Sequence, residues 1–176
     1  MSHSRQIALG GIFSALCMIL MFMTGMVPFS SYAFPAIAGA MLTVVVTESG
    51  TKFALLAYAS ISVLSILVVP DRDATLTFVA FFGYYPIVKE KLEQLPARWL
   101  EISAKLALFN TAVFGGYAAA IRLFGMAELM EGMGELAQYS LLVFVVVFNI
   151  TFLVYDLALT RYIMIYLRYL RKKLLR

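Results

Sequence analysis

Apolar residues fill this chain in long blocks, and short clusters of charged residues, serine or proline separate them, so neither strand alternation nor a single amphipathic stripe describes the pattern. The last block, residues 139–155 (YSLLVFVVVFNITFLVY), leads into Asp156, Arg161 and the basic stretch RYLRKKLLR. As a helix it rises roughly 25 Å, close to the roughly 30 Å hydrocarbon core of a bilayer. Basic residues at one end only give it a direction, with the tail expected to face the cytoplasm.

Counting back from that end divides the chain into six expected spans. Residues 7–27 form the first, preceded by Arg5 and closed by Pro28, Ser30 and Ser31. A second helix is expected to begin at Pro35 and run to Val46, with Glu48, Ser49, Gly50 and Lys52 as the next turn. Residues 53–69 form the third, and Pro70 ends it. The fourth, residues 76–88, is short for a crossing, and Pro86 is expected to interrupt its ladder near the cytoplasmic end. Residues 106–121 form the fifth, after an amphipathic lead-in bearing Arg98, Trp99, Glu101 and Lys105. The connection MAELMEGMGELAQ places three glutamates among apolar residues, as in a short helix lying on a membrane or folding over an entrance.

Composition makes the membrane the solvent: 62% of residues are hydrophobic, 14% are charged, and mean hydropathy is +0.90. The expected fold is therefore all-α, a single polytopic domain over residues 1–176 built as a compact bundle of six transmembrane helices. Six crossings with both ends inside put twelve of the 14 Lys and Arg on the cytoplasmic side and leave only Arg72 and Arg122 outside. The same scatter among short loops explains the net charge of +4 without a nucleic-acid partner.

The chemistry available is that of binding. Cys17 and His3 are the only residues of their kinds, so no Cys/His metal site is expected, and no cofactor motif occurs. No nucleophile–base constellation or phosphate loop is apparent, which argues against an enzyme and against ATP hydrolysis by this chain. Asp156 falls near the cytoplasmic interface, where pairing with a basic neighbour is expected, although Arg161 is badly spaced for it on a helix. Tyr32, Phe34, Asp71, Arg72, Arg122 and Tyr139 fall near the outer ends of spans, with Asn110 and Asn149 deeper on the fifth and sixth. Aromatic faces with a few polar groups suit a small polar-aromatic solute, while the same residues are also ordinary interface anchors. On the first helix, Gly10 with Ser14 and Gly11 with Ala15 form small-residue pairs one turn apart, fit either for internal packing or for another subunit.

With its six expected spans, the small residues in ALGGIFSALCMIL and the turn-to-helix segment VPFSSYAFPAIAGAML, the chain resembles the substrate-binding S component of energy-coupling factor (ECF) transporters. These are bacterial and archaeal importers of vitamins and micronutrients. The resemblance implies a multi-pass protein of a bacterial or archaeal cell membrane, surrounded by membrane lipid, with N and C termini cytoplasmic. It would capture a small vitamin-like molecule at its outer face. It would associate with a coupling transmembrane subunit and two ATPase subunits. The family's first helix carries an AxxxA-like contact motif, to which Gly11 and Ala15 are the nearest match, with Gly in place of the first Ala. An alternative is a structural membrane subunit similar to the rod-shape protein MreD, acting through protein–protein contacts.

Overall fold

Gly50 makes the tightest corner of the chain. The computed structural model describes residues 3–26, 30–124 and 137–171, and Gly50 alone separates α2 (Ser30–Ser49) from α3 (Thr51–Val68). Its φ of 85° lies in the left-handed region that glycine enters without a Cβ clash. From there its N–H donates to Val46 O at 2.9 Å, and its own carbonyl accepts from Ala54 N at 3.2 Å. The chain thus reverses with both helix ends bonded.

At the opposite end, α1 (His3–Met23) turns toward α2 through two hydroxyls. Thr24 Oγ1 donates to Met21 O at 2.7 Å, and Ser30 Oγ donates to Thr24 O at 3.0 Å. The second helix therefore begins at Ser30, five residues before the expected start, and Pro35 lies inside it. A proline this close to the start removes one amide donor from the second turn, and α2 continues past it for nearly four more turns.

Packing explains why α2 is the centre. It packs against α1, α3 and most of the elements that follow, and Leu42, Thr43, Val44, Val45 and Val46 are buried in succession, which only a helix surrounded on all sides can do. Thr43 and Thr47 return their hydroxyls to carbonyls of their own helix at 2.6 and 2.7 Å, so neither is left unsatisfied.

The fourth expected crossing is not one helix. Short α4 (Arg72–Thr77) passes into a π-helical segment (Phe78–Phe82), a turn at Gly83 and Tyr84, and then α5 (Tyr85–Leu92). Pro86, predicted from the sequence to interrupt the ladder of this span, instead stands in the first turn of α5, where its missing N–H costs nothing. The break lies upstream, where Gly83 N donates to Phe78 O at 2.8 Å instead of to Val79 O. Tyr58 of α3 supplies a substitute, its hydroxyl donating to Val79 O at 2.7 Å. Irregular backbone of this kind survives in an apolar protein only where neighbours satisfy it.

α6 (Arg98–Phe124) and α7 (Ala137–Ile165) complete the fold, with the chain continuing from α7 as a π-helical Tyr166–Leu170. The apolar interior has two parts. One gathers Cys17, Met21, Leu42, Ile61 and Phe78 between α1, α2, α3 and the broken segment; the other gathers Phe81, Tyr85, Phe109, Phe152 and Leu159. Phe82 packs against both.

Among the described residues all regular structure is helical, and four stretches are long and apolar enough to cross a membrane: Ser4–Met23, Ser30–Ser49, Thr51–Val68 and Val145–Tyr169. α6 has 27 residues, about 40 Å of helix, with the expected lead-in and fifth span fused into one element. Most of the connection MAELMEGMGELAQ lies outside the described residues.

Candidate functional site

Three levels of side chains succeed one another along the seam between α6 and α7. Deepest in the sequence of α6 is Asn110, whose amide N–H donates to Asn149 Oδ1 at 2.8 Å while Asn149 donates back to Asn110 Oδ1 at 3.2 Å. Each amide also donates to the carbonyl one turn earlier, Leu106 O or Val145 O, at 2.8 Å. Next, Phe109 and Phe152 stack with centroids 4.6 Å apart and planes 9° from parallel. Phe81 meets both edge-on, at 5.1 and 5.6 Å.

The third level is ionic. Asp156 of α7 accepts from Tyr85 Oη at 2.5 Å, from Lys89 through the same oxygen, and from Lys105 through Oδ2 at 3.0 Å. Lys89 also pairs with Glu93 at 2.7 Å, and Lys105 pairs with Glu101 at 2.6 Å and Glu93 at 3.4 Å. The lysine side chains are 1% and 5% exposed and Asp156 14%, whereas Glu93 is 37% exposed, so the network is buried at its lysines and reaches the surface mainly through Glu93. One carboxylate thereby ties α5, α6 and α7 together.

A second clasp joins the ends of α2 and α7. Glu48, 1% exposed in its side chain, accepts from Arg171 Nε at 2.8 Å and from Tyr166 Oη at 3.3 Å. Both clasps lie toward the same end of the molecule, because the end of α2, α5, the start of α6 and the second half of α7 meet there.

The opposite end holds several residues expected near a ligand. Asp71 caps α4, its Oδ1 accepting from Ala74 N at 3.0 Å, and its Oδ2 accepts from Ser31 Oγ of α2 at 2.7 Å. Arg72 donates from Nη1 to Ile66 O, near the end of α3, at 3.1 Å. Tyr32, in the first turn of α2, is 54% exposed and lies within electrostatic reach of Asp71 and Asp73; Phe34 is half-buried beside it in sequence. Arg122 and Tyr139 belong to α6 and α7, but their side chains lie outside the described residues. The structure therefore brings Asn110 to Asn149, and Asp71 to the start of α2. Tyr85 is fourteen residues along the broken segment from Asp71, about 20 Å at helical rise.

From the sequence, Asp156 calls for a basic partner, while Lys89 and Lys105 read only as markers of membrane orientation. Their signal was present in two Lys/Glu pairs at one-turn spacing, 89 with 93 and 101 with 105, flanking the short link between α5 and α6. Among the described residues no group of three His, Cys, Asp or Glu is arranged to hold a metal ion. On α1, a Cβ built on Gly10 or Gly11 meets no atom of the described residues within 4 Å, and Gly11 and Ala15 are exposed, so among those residues this face is open.

The reciprocal Asn pair has a measurable consequence. Asn110→Ala and Asn149→Ala should each lower the midpoint of thermal unfolding, because each leaves the other amide short of a partner, at a cost of about 0.5–2 kcal/mol. The double variant should cost clearly less than the two single losses added together. Additive losses in detergent-purified protein would mean that the two amides act independently.

Compared with protein-family models, curated proteins and solved structures, the chain matches none.

Proposed function

We propose that this chain is the substrate-binding subunit of an ECF-type importer, capturing a small vitamin-like solute at its extracytoplasmic face. In this reading the chain crosses the membrane six times, counting the broken segment and α6, with both termini cytoplasmic. The Glu48 and Asp156 clasps then mark the cytoplasmic end, and Tyr32, Phe34, Asp71 and Arg72 the outer one. A coupling subunit and two ATPases drive transport.

The observation that carries the reading is the open face of α1. A Cβ on Gly10 or Gly11 meets no described atom within 4 Å and Ala15 is exposed, and lipid places no demand for small residues. Close approach of a partner helix does. The deciding experiment is a thermal-shift screen of the detergent-purified chain against vitamins. A ligand at about 100 times its Kd adds about 2.7 kcal/mol of stability, or roughly 5–10 °C in a chain of this size. No shift with any of them rejects solute capture. Gly11→Leu should in addition abolish co-purification with the coupling subunit without lowering the unfolding midpoint, since a Cβ there meets no described atom within 4 Å. Wild-type recovery of the complex would leave that face to lipid.

One observation favours a second reading, a structural subunit similar to the rod-shape protein MreD. The α6–α7 seam is filled by its own Phe stack and Asn pair, so any solute there must displace contacts already made. The screen separates the two readings.

A further inference from the structure

Asp156 is bound by its neighbours in a way that divides them. Lys105 sits on α6, a long continuous helix, whereas Tyr85 and Lys89 sit on α5, an eight-residue helix with interrupted backbone at both ends. Before α5 come the π-helical segment and the turn at Gly83 and Tyr84; Pro86, lacking an N–H, cannot extend the ladder across it. After α5, residues 93–97 are non-helical. The upstream side of the break is fixed, because Gly39 of α2 lies so close to Phe82 that a Cβ there would stand 2.2 Å from its carbonyl oxygen. Hinges are formed by a few such element-terminal residues that absorb the backbone change, next to a part that cannot move.

We propose that α5 is a gate that pivots at Tyr84, just past Gly83, whose backbone is also held against the Tyr58 and Phe78 rings, and is held shut by the latch from Tyr85 and Lys89 onto Asp156. Behind it lie Phe81, Phe152 and Tyr155, ringed around Tyr85 at the end of the apolar interior, with Phe109 stacked on Phe152 beyond them. Swinging α5 outward opens that aromatic interior toward the end of the molecule carrying both ionic clasps. An ionic latch suits a gate better than apolar packing does. Replacing all its members by apolar groups would change stability little because desolvation offsets attraction, but removing one side leaves Asp156 short of partners, and its bonds are directional and lost over a short displacement. Lys105 and Glu93 remain to neutralise Asp156 and Lys89 when the two separate. Release of solute through this gate rests on the importer reading; the pivot itself does not.

The test uses two thiols in one chain. Ile87 on α5 is 2% exposed and becomes the reporter as Ile87→Cys, while native Cys17 on α1, buried and free, reports general loosening. Purified full-length protein is treated with a small maleimide, and labelling at each thiol is followed by mass spectrometry. Lys89→Met with Tyr85→Phe removes the α5 side of the latch and leaves Asp156 paired with Lys105. It should raise the labelling rate at position 87 by at least about tenfold, with position 17 unchanged. Lys89→Met alone, the milder variant, should move position 87 in the same direction. Labelling that stays slow at 87 in both variants overturns the gate, as does labelling that rises in parallel at both thiols, because the network would then hold the whole bundle. Since no solute enters the assay, a failed vitamin screen and a failed gate give different results.

Discussion

Asp156→Ala should lower the stability of the purified chain by about 3 kcal/mol, seen as a fall of roughly 6–12 °C in the unfolding midpoint. The reason is what it leaves behind. Lys89 and Lys105 are 1% and 5% exposed and lose the carboxylate they share, and the Tyr85 hydroxyl loses an acceptor at 2.5 Å. Each lysine keeps a glutamate, at 2.7 and 2.6 Å, which holds the loss at the lower end of what a broken buried ion pair costs. Glu93→Ala, removing a carboxylate that is already 37% exposed, should cost under about 1 kcal/mol. Replacing Lys89 and Lys105 by Met and Asp156 by Leu together should recover most of the stability lost in Asp156→Ala, because no buried charge is then uncompensated. Equal losses from Asp156→Ala and the triple replacement would show that the cost is one of packing rather than of charge.

That network also shows where reading the sequence stopped. Residues with apolar neighbours on all sides declare themselves in one dimension, so α1, α3 and the long apolar run of α7 were legible from block length, and the α2–α3 corner from Gly50. Partners 51 and 67 residues away along the chain do not. Asp156 was recognisable as needing a cation, but Lys89 and Lys105 read equally well as residues at a membrane surface. The break after Phe82 was misplaced for a related reason. Pro86 was the visible breaker, whereas the π-helical segment depends on the Tyr58 hydroxyl and the bare backbone of Gly39, both supplied by other helices. Pro35 misled in the opposite sense, since the first turn of α2 is anchored upstream of it by Ser30 and Ser31. At the candidate site, Asp71 and Arg72 were singled out as ligand-facing polar groups; the structure gives them bonds to Ala74 N, Ser31 and Ile66 O. Such capping bonds are short-range and specific, and a hydropathy pattern does not register them.

Glycines on α1 and α2 should respond in opposite ways to the same substitution. Gly39→Ala places a methyl group 2.2 Å from Phe82 O and 2.9 Å from Phe82 C, both backbone atoms that cannot swing aside as a side chain can. Either α2 and the π-helical segment separate by about 1 Å, opening voids around the buried Phe78 and Phe81, or the break itself moves; both put the loss at or above about 3 kcal/mol. Gly10→Ala adds the same methyl group where nothing lies within 4 Å. There the chain loses only backbone freedom that disfavours a helix, so stability should hold or rise by about 0.5–1 kcal/mol. Thermal unfolding of the two variants in the same detergent separates the effects, and the expected gap between them is roughly 7–15 °C. A gap near zero would mean that α2 and the broken segment are not in the close contact that positions α5.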